Sequence, residues 1–98
     1  MTVIVAGHLT MAPEDRGDFL EGHRHIVEES RKAPGCLDLS ISPDPLDPGR
    51  VNIFEFWESP EKLDAWRSVA PPPKSSVEID DASMQKHDVA KSGPPFDA

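Results

Sequence analysis

Apolar residues recur along this chain with two distinct periods, and the periods divide it into six elements. Thr2 to Thr10 carries Val3, Val5 and Leu9 on one side of an extended chain, with Ile4 and Ala6 on the other. A strand apolar on both sides is usually covered on both faces. Pro13, followed by Glu14 and Asp15, then has the make-up of a helix start. From Pro13 to about Ala33 the apolar positions Phe19, Leu20, His23, Ile26, Val27 and Ser30 fall at helical spacing, with charges at most other angles. Pro34 and Gly35 stop that helix. Cys36 to Ser42 alternates cleanly, Leu37, Leu39 and Ile41 against Asp38, Ser40 and Ser42, which predicts a strand with one wet face.

The turn-rich run from Pro43 to Arg50 reads as a long hairpin connection. Val51 to Glu58 is a second strand apolar on both parities, with Val51, Ile53 and Trp57 facing one way and Phe54 and Phe56 the other. Ser59-Pro60-Glu61 combines a cap, a first-turn proline and a first-turn acid. Leu63, Trp66 and Ala70 form the inner stripe of the helix it starts, and Pro71-Pro72-Pro73 forbids continuation. Lys74 to Asp81 has no assignable period. Ala82 to about Lys91 is a weak last strand. The order β-α-β-β-α-β predicts an α+β, ferredoxin-like sandwich: an antiparallel sheet with two helices on one face. In that topology the first and third strands are central, and these are the two with apolar residues on both sides. The sheet face away from the helices needs its own cover, and a second copy of the chain supplies it, sheet to sheet.

Composition narrows the class. Ninety-eight residues make one domain, expected over residues 1–91, with residues 92–98 as a C-terminal tail. Eighteen acidic against ten basic residues give a net charge of −8, which excludes nucleic acid or an anionic membrane as main partner. No apolar run approaches the roughly 20 residues of a membrane span. Cys36 is the only cysteine and cannot form an internal disulfide. No Cys/His spacing resembles a zinc site, so no metal site is expected and a cytoplasmic location is.

Two titratable groups stand in apolar surroundings. His23 sits near the middle of the first helix's apolar arc, either as a core histidine bonded to backbone or as a base pointing into the helix–sheet cleft. Glu55 interrupts the row of Ile53 and Trp57, and an unpaired carboxylate there is costly, so it needs a partner such as His23, a cation or water. Its role is open between structural acceptor and catalytic base or orienter. His25 is expected in solvent, and Cys36 as a buried, inert thiol.

Ala12-Pro13-Glu14, Phe19-Leu20, Pro34-Gly35-Cys36-Leu37 and Phe54-Glu55-Phe56-Trp57-Glu58-Ser59 together resemble the antibiotic biosynthesis monooxygenase family, whose members are dimeric α/β barrels. The resemblance runs from about Val3 to Trp66. It implies cofactor-independent oxygenation, in which a bound phenolic or polycyclic substrate is deprotonated and its carbanion reacts directly with dioxygen. Trp57 falls where quinone-forming relatives place a pocket tryptophan. Their asparagine four residues earlier is Ile53 here, and a histidine that many relatives carry nine residues later is Trp66. The haem-degrading branch has a tryptophan at Trp66, but its first-strand asparagine lies near Gly7 here, and no histidine occurs between His25 and His87 to serve as its axial ligand.

The expected function is therefore a monooxygenase acting on a hydrophobic aromatic small molecule with O2 and no cofactor, as a homodimer. His23, Glu55 and Trp57 are its expected catalytic residues, and Trp66, Phe19 and Ile53 its expected substrate contacts. A non-catalytic ligand-binding or stress-related dimeric module of the same fold, or an isomerase using the same cleft without oxygen, are the alternatives.

Overall fold

Four strands and two helices follow one another in the expected order in the structure, a computed structural model that describes residues 1–96. They are β1 (Thr2–Thr10), α1 (Arg16–Ser30, preceded by a 3-10 turn at Pro13–Asp15), β2 (Cys36–Pro43), β3 (Arg50–Trp57), α2 (Pro60–Val69) and β4 (Asp81–Val89). The sheet order is β2-β3-β1-β4 and every pairing is antiparallel. β1 and β3 are central, as their two apolar faces require. Residues 97–98 of the expected tail lie outside the described residues.

Register decides which side chains meet the helices. Val3 pairs with Trp57, Val5 with Glu55, Gly7 with Ile53 and Leu9 with Val51, so these residues share the helix-facing side. On β2 that side carries Leu39 and Ile41, but the alternation does not extend to Leu37. The register shifts between Cys36 and Asp38, which leaves Leu37 in the bulge, 52% exposed. A bulge of one residue reverses parity, and Cys36 rather than Leu37 joins the inner row.

Two apolar clusters fill the space between sheet and helices. The first holds Val3, Val5, Leu39, Trp57, Leu63 and Trp66, with Ile26, Val27 and Cys36 packed against it. The second holds Met11, Phe19 and Val51, with Leu9, Leu20, Ile53 and Val77 against it. The opposite sheet face presents Ile4, Ala6, Phe54 and Phe56, half-buried, and neither helix among the described residues covers it. No helix is long and apolar enough to cross a membrane, among the described residues.

The hairpin loop between β2 and β3 is held by charge. Asp44 accepts from the Leu46 and Asp47 amides at 3.0 and 2.9 Å and from Asn52 Nδ2 at 3.0 Å. Arg16 at the start of α1 donates to the carbonyls of Asp44, Asp47 and Arg50, which ties the loop to the helix.

Candidate functional site

Along β3 the helix-facing row runs Val51, Ile53, Glu55, Trp57. Ile53 packs against the second cluster and Trp57 belongs to the first, so along β3 Glu55 stands at the seam between them, with Val5 and Leu39 of the first cluster beside it across the sheet. The same seam crosses α1. Phe19 belongs to the second cluster, Ile26 and Val27 pack on the first, and His23 lies between them on the helix. Glu55 thus stands on the helix-facing side of the sheet and His23 between the two groups of packed residues on α1.

Each of the two has a partner, and neither is the other. The Trp57 indole Nε1–H donates to Glu55 Oε1 at 3.0 Å, which answers the cost of a carboxylate in an apolar row. The partner expected as His23, a cation or water is the adjacent indole. His23 Nδ1–H donates to the Phe19 carbonyl at 2.8 Å, and the ring stacks on Phe19 with centroids 4.0 Å apart. Nδ1 therefore carries the proton in the neutral ring, and Nε2 keeps its lone pair. His23 is half-buried, between the core and base roles. Trp57 and Trp66 stack across the first cluster with centroids 6.4 Å apart.

The sequence leaves open whether a cavity lined by His23, Glu55 and Trp57 exists, and neither of the two concavities beside α1 is lined by them. Trp57 is fully buried, and Phe19 and Trp66 are 4% and 9% exposed. Two open concavities flank α1 instead. One of about 510 Å³ lies between the outer side of α1 (Asp18, Glu21, His25 and neighbours) and Lys74–Val77. The other, about 440 Å³, lies between α1 and Ile41 of β2. Neither is lined by any of the six expected site residues. No group of three or more His, Cys, Asp or Glu side chains is placed to hold a metal ion among the described residues.

Contacts that the sequence pattern did not reveal shape the rim. His25 is half-buried rather than free in solvent, with Nε2 2.9 Å from the Pro72 carbonyl. The Lys74 amide donates to the Gly22 carbonyl at 2.9 Å. Arg31 Nε donates to the Leu39 carbonyl at 2.9 Å, covering part of the β2 edge. Two of these use backbone carbonyls far away in sequence, and the mid-helix Gly22 is the signal that could have marked such a close approach. Cys36 is half-buried, and burial pushes its thiol pKa up, with Asp38 and Glu55 adding to the effect. An inert thiol is the consequence.

A family profile described as antibiotic biosynthesis monooxygenase matches residues 2–70. Among curated proteins, an uncharacterised protein of Synechocystis is 29% identical over 62 residues, covering 63% of this chain and 42% of that protein. The chain thus spans less than half the length of that relative. Among solved structures, a candidate antibiotic biosynthesis monooxygenase from Deinococcus radiodurans superposes with TM-score 0.69 at 17% identity, over 99% of this chain and 100% of the other. One from Nitrosomonas europaea gives TM-score 0.67 at 17% identity, over 93% and 100%. A heme-degrading protein of Mycobacterium tuberculosis gives 0.68 at 18%, over 96% and 100%. At these identities the structural likeness carries the fold alone.

Proposed function

The chain belongs to the antibiotic biosynthesis monooxygenase family, and on that premise we propose that it oxygenates a hydrophobic, phenolic or polycyclic aromatic molecule with O2 and without a cofactor. The observation that supports this reading is the Glu55–Trp57 hydrogen bond on the helix-facing row of β3. A carboxylate and an imidazole with a free Nε2 supply two half-buried proton acceptors in an apolar layer. Aromatic walls from Phe19, Trp57 and Trp66, with Ile53 beside them, suit a flat substrate.

The chemistry balances without a further redox partner. A base takes a proton from an activated CH2 of the substrate, leaving a carbanion delocalised over the ring. The carbanion forms a C–O bond to O2, and protonation gives a hydroperoxide. Loss of water then leaves a carbonyl. One O2 and one CH2 group become one C=O and one H2O. The protein's part is to exclude water, hold the ring flat and move protons. Glu55 takes two roles here, positioning Trp57 through the indole N–H and accepting or returning a proton at its second oxygen. His23 Nε2 is the other acceptor.

The protein works as a homodimer in this reading. The uncovered sheet face carries Ile4, Ala6, Phe54 and Phe56, and a second copy buries it. Its single free cysteine suits a reducing, cytoplasmic setting.

Haem fits these residues poorly. His8 and His87 stand on the far face of the sheet, as their pairing with Asn52 and Ile4 requires. His25 engages Pro72, and His23 lies flat on Phe19 and lines neither concavity. The test of the proposed function is oxygen uptake by metal-stripped protein with a panel of anthrones and polycyclic phenols. Stoichiometric O2 consumption supports it. Loss of substrate without oxygen consumption supports the isomerase alternative, and binding without turnover the ligand-binding one.

A further inference from the structure

A closed cleft needs a way in if it is to admit a ring system, and the elements around it are not equally well held. β1 and β3 pair over eight registered positions. α2 is capped by Ser59, whose hydroxyl accepts from the Lys62 amide, and it buries Leu63 and Trp66. α1 buries Phe19, Gly22 and Ser30. The segment Ala70–Asp80 has no repeating structure at all. It leaves α2 through three prolines and crosses the flank of α1 before entering β4.

Its attachments are few. The Lys74 amide donates to the Gly22 carbonyl and the Asp80 amide to the Thr10 carbonyl, both at 2.9 Å. His25 Nε2–H donates to the Pro72 carbonyl at 2.9 Å. Val77 is the apolar contribution, half-buried against Met11, Phe19 and Val51. Gly22 makes the crossing possible, because a Cβ at that position would stand 2.5 Å from Ser75 Cβ and 3.0 Å from the Lys74 carbonyl carbon.

The place of these contacts gives them meaning. At about 100° per residue, Gly22 and His25 lie on the flank of α1 that borders Ile26 and Phe19, away from Leu20 and Val27. The segment therefore lies along one flank of α1, and through Val77 it reaches the cluster that holds Phe19. Segments with little buried apolar area and a handful of polar anchors are those that open without the rest of the fold.

We propose that Ala70–Asp80 is the lid of the cleft: it leaves α1 as one unit and uncovers the Phe19 end while the sheet and both helices stay folded. This rests on the cleft being the substrate site, and the test separates the two ideas. Hydrogen exchange on the intact chain reads the opening directly. The Lys74 and Asp80 amides should share one opening constant, at least ~100-fold larger than that of Val3 and Val5 in the central strand. Gly22→Ala should raise both together, roughly ten-fold or more, and leave Val3 and Val5 unchanged, because Ala suits the helix yet collides with Ser75.

A Gly22→Cys/Ser75→Cys pair, made with Cys36→Ala, then locks the lid. Oxidation should bring both amides to the slow exchange of the sheet and slow association of 1-naphthol at least ~10-fold, with reduction restoring both. Unequal opening constants for Lys74 and Asp80, a response of only one to Gly22→Ala, or unchanged 1-naphthol association in the locked form would overturn the lid. If 1-naphthol binds neither form, the aromatic-site reading falls alone, and the paired exchange still decides the lid.

Discussion

Glu55 is the residue on which structure and chemistry meet, because its carboxylate sits in an apolar row and holds the Trp57 indole. Glu55→Gln keeps an acceptor for the indole N–H but cannot take a proton. The variant should therefore fold with an unchanged urea midpoint and lose turnover by about 100-fold or more, the usual worth of a general base. Trp57→Ala is different in kind, since Trp57 is fully buried. It should cost about 3–5 kcal/mol in urea denaturation. Asp44 contributes to acid stability. The Asn52 amide first, then the Asp47 and Leu46 amides, hold its carboxyl down to about 2 from 3.8. A depressed folded value means the stabilisation is complete above about 4 and is lost as pH falls through about 2. Urea midpoints measured between pH 5 and 2 should drop less in Asp44→Asn than in the natural chain.

Elements were legible where side-chain period set them. The double-apolar parity of β1 and β3 placed them at the centre of the sheet, and Ser59-Pro60 marked the start of α2 to the residue. Ser59→Ala should cost about 1 kcal/mol, read by thermal or urea unfolding, because the Lys62 amide loses its acceptor. Legibility ended where the backbone did the binding. The bulge at Leu37 leaves no trace in a pattern of alternating residues, yet it moves Cys36 into the inner row. Ala70–Asp80 is polar and aperiodic, and its anchors are mainly main-chain groups, so nothing in its side chains announced that it crosses α1. The site was legible to the same depth. The rows that hold His23, Glu55 and Trp57 followed from spacing, whereas the pairing of Glu55 with the indole and the closure of the cleft depend on packing that no period encodes.

For the whole molecule, one sheet face is buried by helices and the other waits for a cover. Phe54 and Phe56, with ring centroids 6.4 Å apart, are the centre of that uncovered face. Sedimentation equilibrium should find a dimer, and Phe54→Glu should convert it to a folded monomer by placing a charge in the shared apolar layer. The proposed function uses the other face, where buried aromatic walls stand with two half-buried proton acceptors, Glu55 and His23. The most direct test of that claim is the simultaneous measurement of O2 uptake and substrate loss by metal-stripped protein given an anthrone, for the natural chain and Glu55→Gln. The account predicts one O2 consumed per anthrone lost by the natural chain, and at least ~100-fold less in the variant. Anthrone bound without O2 uptake, uptake that requires added haem or flavin, or equal rates in the two proteins would contradict it.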